Sequence, residues 1–281
     1  MSTELTATRV APSAFGDDLR RFANLTLTLA TTDFKLRYFG SVLGYLWSLV
    51  RPLLFFAVLF VMFTKVFHAG AGVPHYAVYL LTSIMLWTFF IETTAGSVQC
   101  LLTREGLLRK MRFPRLVIPL SVGLTAMFNL AINFIVVFAF ALATGVTPRV
   151  GWLELIPLVL LLSTLAVGVG MLLSVLYVRF RDVQPIWDVV TQVLFYASPI
   201  IYTAAKYREV SVKTEHLAMV NPIAAILTQM HQAFVDPSAP GAAAAIGGLV
   251  RLLLPFGIIV SVFALGLWFF NREAPRIAEN L

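Results

Sequence analysis

Six apolar stretches, each long enough to cross a bilayer, fill more than half of this chain: Val42–Phe67, Tyr76–Leu102, Leu116–Thr144, Leu153–Val178, Ile186–Thr203 and Leu249–Phe270. A membrane helix needs about 20 mainly apolar residues to span about 30 Å of hydrocarbon. Lipid also admits only segments that satisfy their own backbone hydrogen bonds. The predicted fold is therefore all-α and polytopic, one transmembrane domain over residues 1–281 with six spans at 42–67, 76–102, 116–144, 153–178, 186–203 and 249–270. The fifth span is the shortest and carries Pro199, which leaves open a broken or re-entrant segment. Composition excludes the alternatives. Hydrophobic residues make up 59% and charged ones only 12%, against about 45–50% and 25% in soluble domains. Cys100 is the only cysteine, so an internal disulfide framework is excluded and a small buried hydrophobe is expected there.

The first long apolar run begins after Val42, so no cleaved leader is expected and the amino terminus should stay on the side where it is made. Six crossings put both termini on one side. Arg9, Arg20, Arg21, Lys35, Arg37, Arg104, Arg109, Lys110, Arg112, Arg115, Arg179, Arg181, Arg272 and Arg276 fall there, against Lys65, Arg149, Lys206, Arg208 and Lys213 opposite. The positive-inside rule makes the richer side cytoplasmic. The net charge of +7 is then a topology signal, and no nucleic-acid partner is expected.

Three segments are not simple spans. In 15–36, Phe15, Leu19, Phe22, Leu25 and Leu29 recur at helical spacing among charged residues, the pattern of an amphipathic interface helix. In 103–113, Leu107, Leu108 and Met111 form one apolar face of a short basic helix that Pro114 ends; a headgroup boundary or a groove on another protein would cover it. In the outer segment 204–248, Asn221-Pro222 opens a run of Ile223, Ile226, Leu227, Met230 and Phe234, an amphipathic helix that dips into the outer leaflet or caps the bundle before the last span.

Ionisable groups at membrane depth are costly and face a bundle interior or a pathway. Arg51 lies about 13 Å into the first span and Glu92 about 15 Å into the second. Their depths match, and a pair or a shared polar cavity is expected. Asp188 should neutralise Arg179 or Arg181. The aromatics Tyr38, Tyr45, Trp47, Phe195 and Tyr196 belong either to interface belts or to a conduit wall on which sugar faces could stack. No GxxxxGK[ST] phosphate loop, HExxH, cysteine cluster or GxSxG elbow occurs, so neither nucleotide binding by that loop nor catalysis is expected of this chain, and no cofactor either.

Phe34-Lys-Leu-Arg-Tyr-Phe-Gly-Ser-Val-Leu-Gly-Tyr-Leu-Trp-Ser-Leu-Val-Arg-Pro-Leu-Leu54 resembles the opening signature of the permease subunits of ABC exporters for cell-surface polysaccharides, the O-antigen, capsule and teichoic acid group. Gly106–Arg115 is similar to that family's first cytoplasmic loop, Tyr177–Asp182 to its second, and Phe195–Tyr202 to the turn after span five; Asn221-Pro222 also falls in place. The resemblance implies a homodimer enclosing one conduit in the cytoplasmic membrane, and two copies of a separate ATPase that bind ATP and magnesium. Glu105, Gly106, Leu107, Leu108, Arg109, Lys110, Met111 and Arg112 would form the ATPase-coupling helix, and 15–36 an interface or gate helix. Arg51 stands where many members carry a neutral Asn. The implied cargo is a polyprenyl-linked glycan whose charged head needs solvation from groups such as Arg51, Thr93, Thr94 and Ser97. A permease for a drug or a lipid without sugar remains open, as does, further off, a membrane glycosyltransferase. A secondary carrier would show internal repeats, and none is evident.

Overall fold

A computed structural model describes residues 19–38, 44, 46–67, 70, 72–106 and 114–280, without the side chains of 38 and 274–280. Residues 15–18, Tyr45, the Tyr38 side chain and Leu107 to Arg112 of the sequence expectations lie outside that description.

All regular structure among the described residues is helical. Helix α1 covers Leu19–Tyr38, α2 Leu46–Val61 with a π turn Met62–Val66, α3 Tyr76–Val98, α4 Val117–Ala143, and α5 Leu155–Arg179 after a 3₁₀ turn Val150–Glu154. Then come α6 Val183–Ala197, α7 Ala205–Val210, α8 Val212–Ala218, α9 Pro222–Met230 with a π turn His231–Val235, α10 Ala242–Ile246, and α11 Leu253–Asn280 after a 3₁₀ turn Leu249–Leu252.

Five of these are long and apolar enough to cross a membrane: Leu46–Val66, Tyr76–Val98, Val117–Ala143, Val150–Arg179 and Leu249–Glu273. The fifth expected span, 186–203, is not among them. Its helix α6 has 15 residues, about 22 Å at 1.5 Å per residue, and stops before Ser198-Pro199, because proline withholds an N–H and restricts the residue before it.

Helix α3 is the centre of the bundle and packs on α4, α5 and α6. Its residues Leu80, Ile84, Met85 and Phe90 share the main core with Leu130, Leu162 and Ile226. Helix α11 lies along α5 at backbone distance. A Cβ on Gly266 would come within 2.4 Å of the Gly168 carbonyl oxygen, and one on Gly168 within 2.8 Å of the Phe263 Cα. Small residues let apolar helices approach this closely, and close approach supplies the packing energy that lipid does not.

Helix α1 lies against α4, on a face that overlaps the expected stripe, with Phe22 packed on the core, but is centred on smaller residues. Leu19 is exposed and Leu25 and Leu29 are half-buried, whereas Thr26 and Ala30 are buried. The reason is again size. Ala30 admits the neighbouring backbone, and Thr125 donates to its carbonyl oxygen at 3.2 Å. Thr26 returns its own hydroxyl to Phe22 O at 2.9 Å.

Helix α6 runs antiparallel beside α3 and is tied to it at several levels. Gln99 donates to Gln184, and Trp187 Nε1 donates to Thr94 Oγ1 at 3.2 Å. Near the other end of α3, the Tyr79 hydroxyl meets the carbonyls of Pro199 and Tyr202, and Tyr76 donates to Ile201 O at 2.5 Å. Helix α9 begins at Asn221, whose side chain accepts from Ile223 N at 3.0 Å, with Pro222 in the first turn. Every residue from Pro222 to Met230 except Gln229 is buried.

Candidate functional site: an inner polar clamp and an aromatic wall

Four polar residues on the otherwise apolar α4, Ser121, Thr125, Asn129 and Asn133, stand four apart and are all buried. Helical geometry places them in one slowly winding stripe, which faces α1 and α3. Asn129 Nδ2 donates to Glu92 Oε2 at 2.8 Å. Arg37, at the end of α1, approaches the same carboxylate oxygen at 3.6 Å. One turn earlier on α1, Asp33 forms an ion pair with Arg104, whose Nη1 also donates to Ser121 Oγ at 2.9 Å. Two charged contacts and the Thr125 hydrogen bond thus fasten α1 to the bundle. Their value lies in being partly desolvated, since a fully exposed pair contributes only about 0–1 kcal/mol.

The expected pairing of Arg51 with Glu92 does not form. Glu92 is engaged by Arg37 and Asn129, while Arg51 is exposed on α2. Equal depth leaves the rotation of each helix undetermined, and α1 lies beside Glu92 through Arg37. Asp188 likewise does not neutralise Arg179 or Arg181. Arg179 lies 3.9 Å from the buried Glu273 of α11, and Arg181 sits over the Tyr177 ring at 5.1 Å.

Of the expected coupling residues, Glu105 and Gly106 are described. They follow Arg104 directly, so the clamp ends where that loop starts. A Cβ on Gly106 would meet no atom within 4 Å.

Among the pathway candidates, Phe195 is buried and Tyr196 exposed. Phe195 joins two rings that are distant in sequence, Trp87 at 5.7 Å and Phe55 at 6.0 Å, and its neighbour Tyr196 at 5.2 Å. Trp187 extends this wall through Phe90 at 6.3 Å. Trp47 lies half-exposed on α2, on a different stretch of surface helix. Sequence reasoning passed over Asp33, Arg104, Ser121 and Asn129 as site residues. The four-residue spacing along α4 was a signal that could have found the last two.

Comparison with known proteins bears on what such a clamp serves. The family model described as ABC-2 type transporter matches residues 24–235. The chain belongs to the ABC-2 type transporter family. The match runs from α1 into the turn after α9, so it includes the clamp, the segment 103–113 and the aromatic wall. Two Klebsiella pneumoniae proteins named O-antigen export system permease protein RfbA are similar over 263 residues, at 29% and 28% identity, covering 92% of this chain and 95% of each relative. A Myxococcus xanthus protein of the same name is 28% identical over 227 residues, 80% of this chain and 85% of the relative. Membership of this family together with five apolar helices makes the chain a membrane-embedded transport protein.

Proposed function

We propose that this chain is the membrane-spanning subunit of an ATP-driven exporter that moves a lipid-linked cell-surface polysaccharide across the cytoplasmic membrane. The similarity to O-antigen export permeases across 92% of the chain carries this reading. Energy comes from two copies of a separate ATPase subunit, which bind ATP and magnesium. Two copies of the present chain face each other around one conduit, with all termini cytoplasmic.

Several features support the arrangement. Gln99 and Tyr79 are separated by twenty residues of α3 and its following turn, about 30 Å at helical rise, and residues 184–202 are hydrogen-bonded at both levels. Helix α6 with its extended tail is therefore read as the sixth crossing, its short helix completed by non-helical backbone that Tyr76 and Tyr79 satisfy. Helix α2 leaves Leu54, Phe55, Val58 and Val61 exposed, and α6 leaves Ile186, Val189 and Val193 exposed; these are the faces a second copy would cover. Arg51, Trp47 and Tyr196 lie on the same two helices, which suits them to the conduit, Arg51 for the charged head of the carrier lipid and the rings for sugar faces. Movement imposed on the loop 105–112 by the ATPase would pass through Arg104 to Asp33 on α1 and to Ser121 on α4.

The test is complementation of a strain lacking its own permease gene, read as surface polysaccharide on immunoblots. Arg51→Ala and Gly106→Pro should each lower export several-fold while membrane insertion and the amount of protein stay normal. Full export from both variants would overturn the reading.

A further inference from the structure

Opposite the clamp, on the side that the charge distribution makes the outer one, a cavity of about 330 Å³ opens between three connecting stretches. Residues 72–74 before α3, 203–205 after α6 and 236–240 after α9 form its walls, with Tyr79, Thr228 and His231 contributed by helices. Tyr79 is already committed to carbonyls of the turn after α6. Thr228 donates to Ala224 O at 2.8 Å, and Ser238 donates to Asp236 Oδ1 at 2.6 Å.

What remains is an imidazole and a wall rich in acceptors. His231 is only 7% exposed, and its ring lies 4.6 Å from that of Tyr79. Its Nε2 is buried and has no hydrogen-bond partner among the described residues. Buried polar atoms are nearly always satisfied, and leaving one unmet costs about 1–3 kcal/mol, so a partner from the cavity is the economical solution. Burial pushes the His231 pKa down to about 4, so the ring is neutral at ordinary pH. Burial alone would raise the Asp236 carboxyl, but hydrogen bonds from Ser238 hold it below its usual value. A neutral imidazole beside a carboxylate and hydroxyl oxygens repels phosphate and welcomes O–H donors. A ring carrying several hydroxyls offers such donors a few ångströms apart. The space exceeds the roughly 30 Å³ share of one water many times over.

We propose that this cavity is a sugar subsite on the outer face, which takes a hydroxylated ring of the exported glycan through His231, Thr203 and Asp236. The proposal rests on the export reading given above, and its test separates the two. Ala205→Cys places an exposed thiol on the cavity wall; in a Cys100→Ala background it is the only thiol. The permease assembled with its ATPase in lipid nanodiscs is then treated with a membrane-impermeant maleimide. Glucose, galactose, mannose, rhamnose and N-acetylglucosamine serve as free probes, lipid-linked glycan with ATP as the cargo, and calcium chloride as a cation control.

At least one sugar, free or lipid-linked, should slow labelling at 205 several-fold and leave a Leu217→Cys reference unchanged. His231→Phe keeps a ring against Tyr79 and removes both nitrogens; it should abolish the protection, and Thr203→Val serves the same purpose if that variant fails to fold. Protection by cargo alone identifies the polymer as the ligand, and protection by free sugars identifies a general saccharide site; both support the subsite. Absence of protection by any sugar, protection by calcium instead, or protection indifferent to both variants would overturn it. If labelling is unprotected in a preparation that exports glycan, the subsite alone falls. A preparation that binds free sugar but exports nothing would undo the export reading instead.

Discussion

Helices α2 and α3 differ in a direction opposite to that of a soluble protein. The span containing α2 has a mean hydropathy of 2.1 and is 6% buried, whereas α3 has 1.4 and is 78% buried. The more polar helix is the central one. In water the apolar helix would be driven inside, but lipid tails are as apolar as leucine, so nothing pulls α2 inward. Polar groups, by contrast, cannot face hydrocarbon unsatisfied. Thr82, Thr94 and Ser97 of α3 are therefore buried, each returning its hydroxyl to a carbonyl four residues back. Between these two helices, satisfied polarity and not hydropathy marks the inward one.

The largest test of that contrast is at the α5–α11 contact. Gly168→Leu puts a side chain where even a Cβ would lie 2.8 Å from the Phe263 Cα, and backbone cannot yield as a side chain does. A loss of about 3 kcal/mol is expected, read as a lower melting temperature of the detergent-purified protein. Wild-type melting in this variant would mean that α11 does not depend on small residues to dock.

The second test is pH. His231 is a buried polar group outside the spans, and its pKa is lowered to about 4, below the unfolded value near 6.5. Between those values the unfolded chain binds the proton and the folded one does not. Stability is therefore complete above pH 6.5 and falls as pH drops toward 4, by up to about 3 kcal/mol. His231→Phe should flatten this slope in melting curves taken across the window, and an unchanged slope would assign it to other groups.

A smaller effect, and a more telling one, is expected at Glu92. Glu92→Leu makes α3 more hydrophobic yet should destabilise it by about 1–2 kcal/mol, because the buried Asn129 amide loses its acceptor. Adding Asn129→Leu should recover most of the loss, as the buried amide goes with its acceptor and the half-exposed Arg37 can turn to solvent. Chemical denaturation of the two variants side by side measures this; stabilisation by Glu92→Leu alone would mean that apolar content, and not satisfied polarity, sets the centre of the bundle.

These contrasts also explain what could be read from residues alone. Five apolar helices long enough to cross a membrane were legible, since about 20 apolar residues have one outcome in lipid, and Pro199 warned that the fifth segment was different. The partner of Glu92 was missed because sequence spacing measures height along a helix and not its rotation. On α1 the expected stripe runs along the edge of the buried face, with Leu25 and Leu29 half-buried, while Thr26 and Ala30, unremarkable in sequence, lie at its centre. Ser121, Thr125, Asn129 and Asn133 carried a readable four-residue pattern, which becomes informative once burial of polar groups, rather than of leucines, is taken as the sign of an inward face. The cavity at His231 had no comparable signal, since three separate stretches meet there only in the folded chain.

The smallest effect on stability belongs to α2. Val58 is 61% exposed, and Val58→Leu should shift melting by less than about 0.5 kcal/mol, because its surroundings are apolar whether lipid or protein supplies them. The same indifference makes α2 a clean reporter of what covers it. In a Cys100→Ala background, Leu54→Cys, Val58→Cys and Val61→Cys lie on consecutive turns of one exposed face. If a second copy sits there, copper-catalysed oxidation in native membranes should yield a disulfide-linked dimer at one or more of these positions. An outward-facing control, Trp268→Cys on α11, should stay monomeric. Dimer bands at none of the three α2 positions would leave lipid as the occupant of this face and would remove the paired conduit from the proposed mechanism.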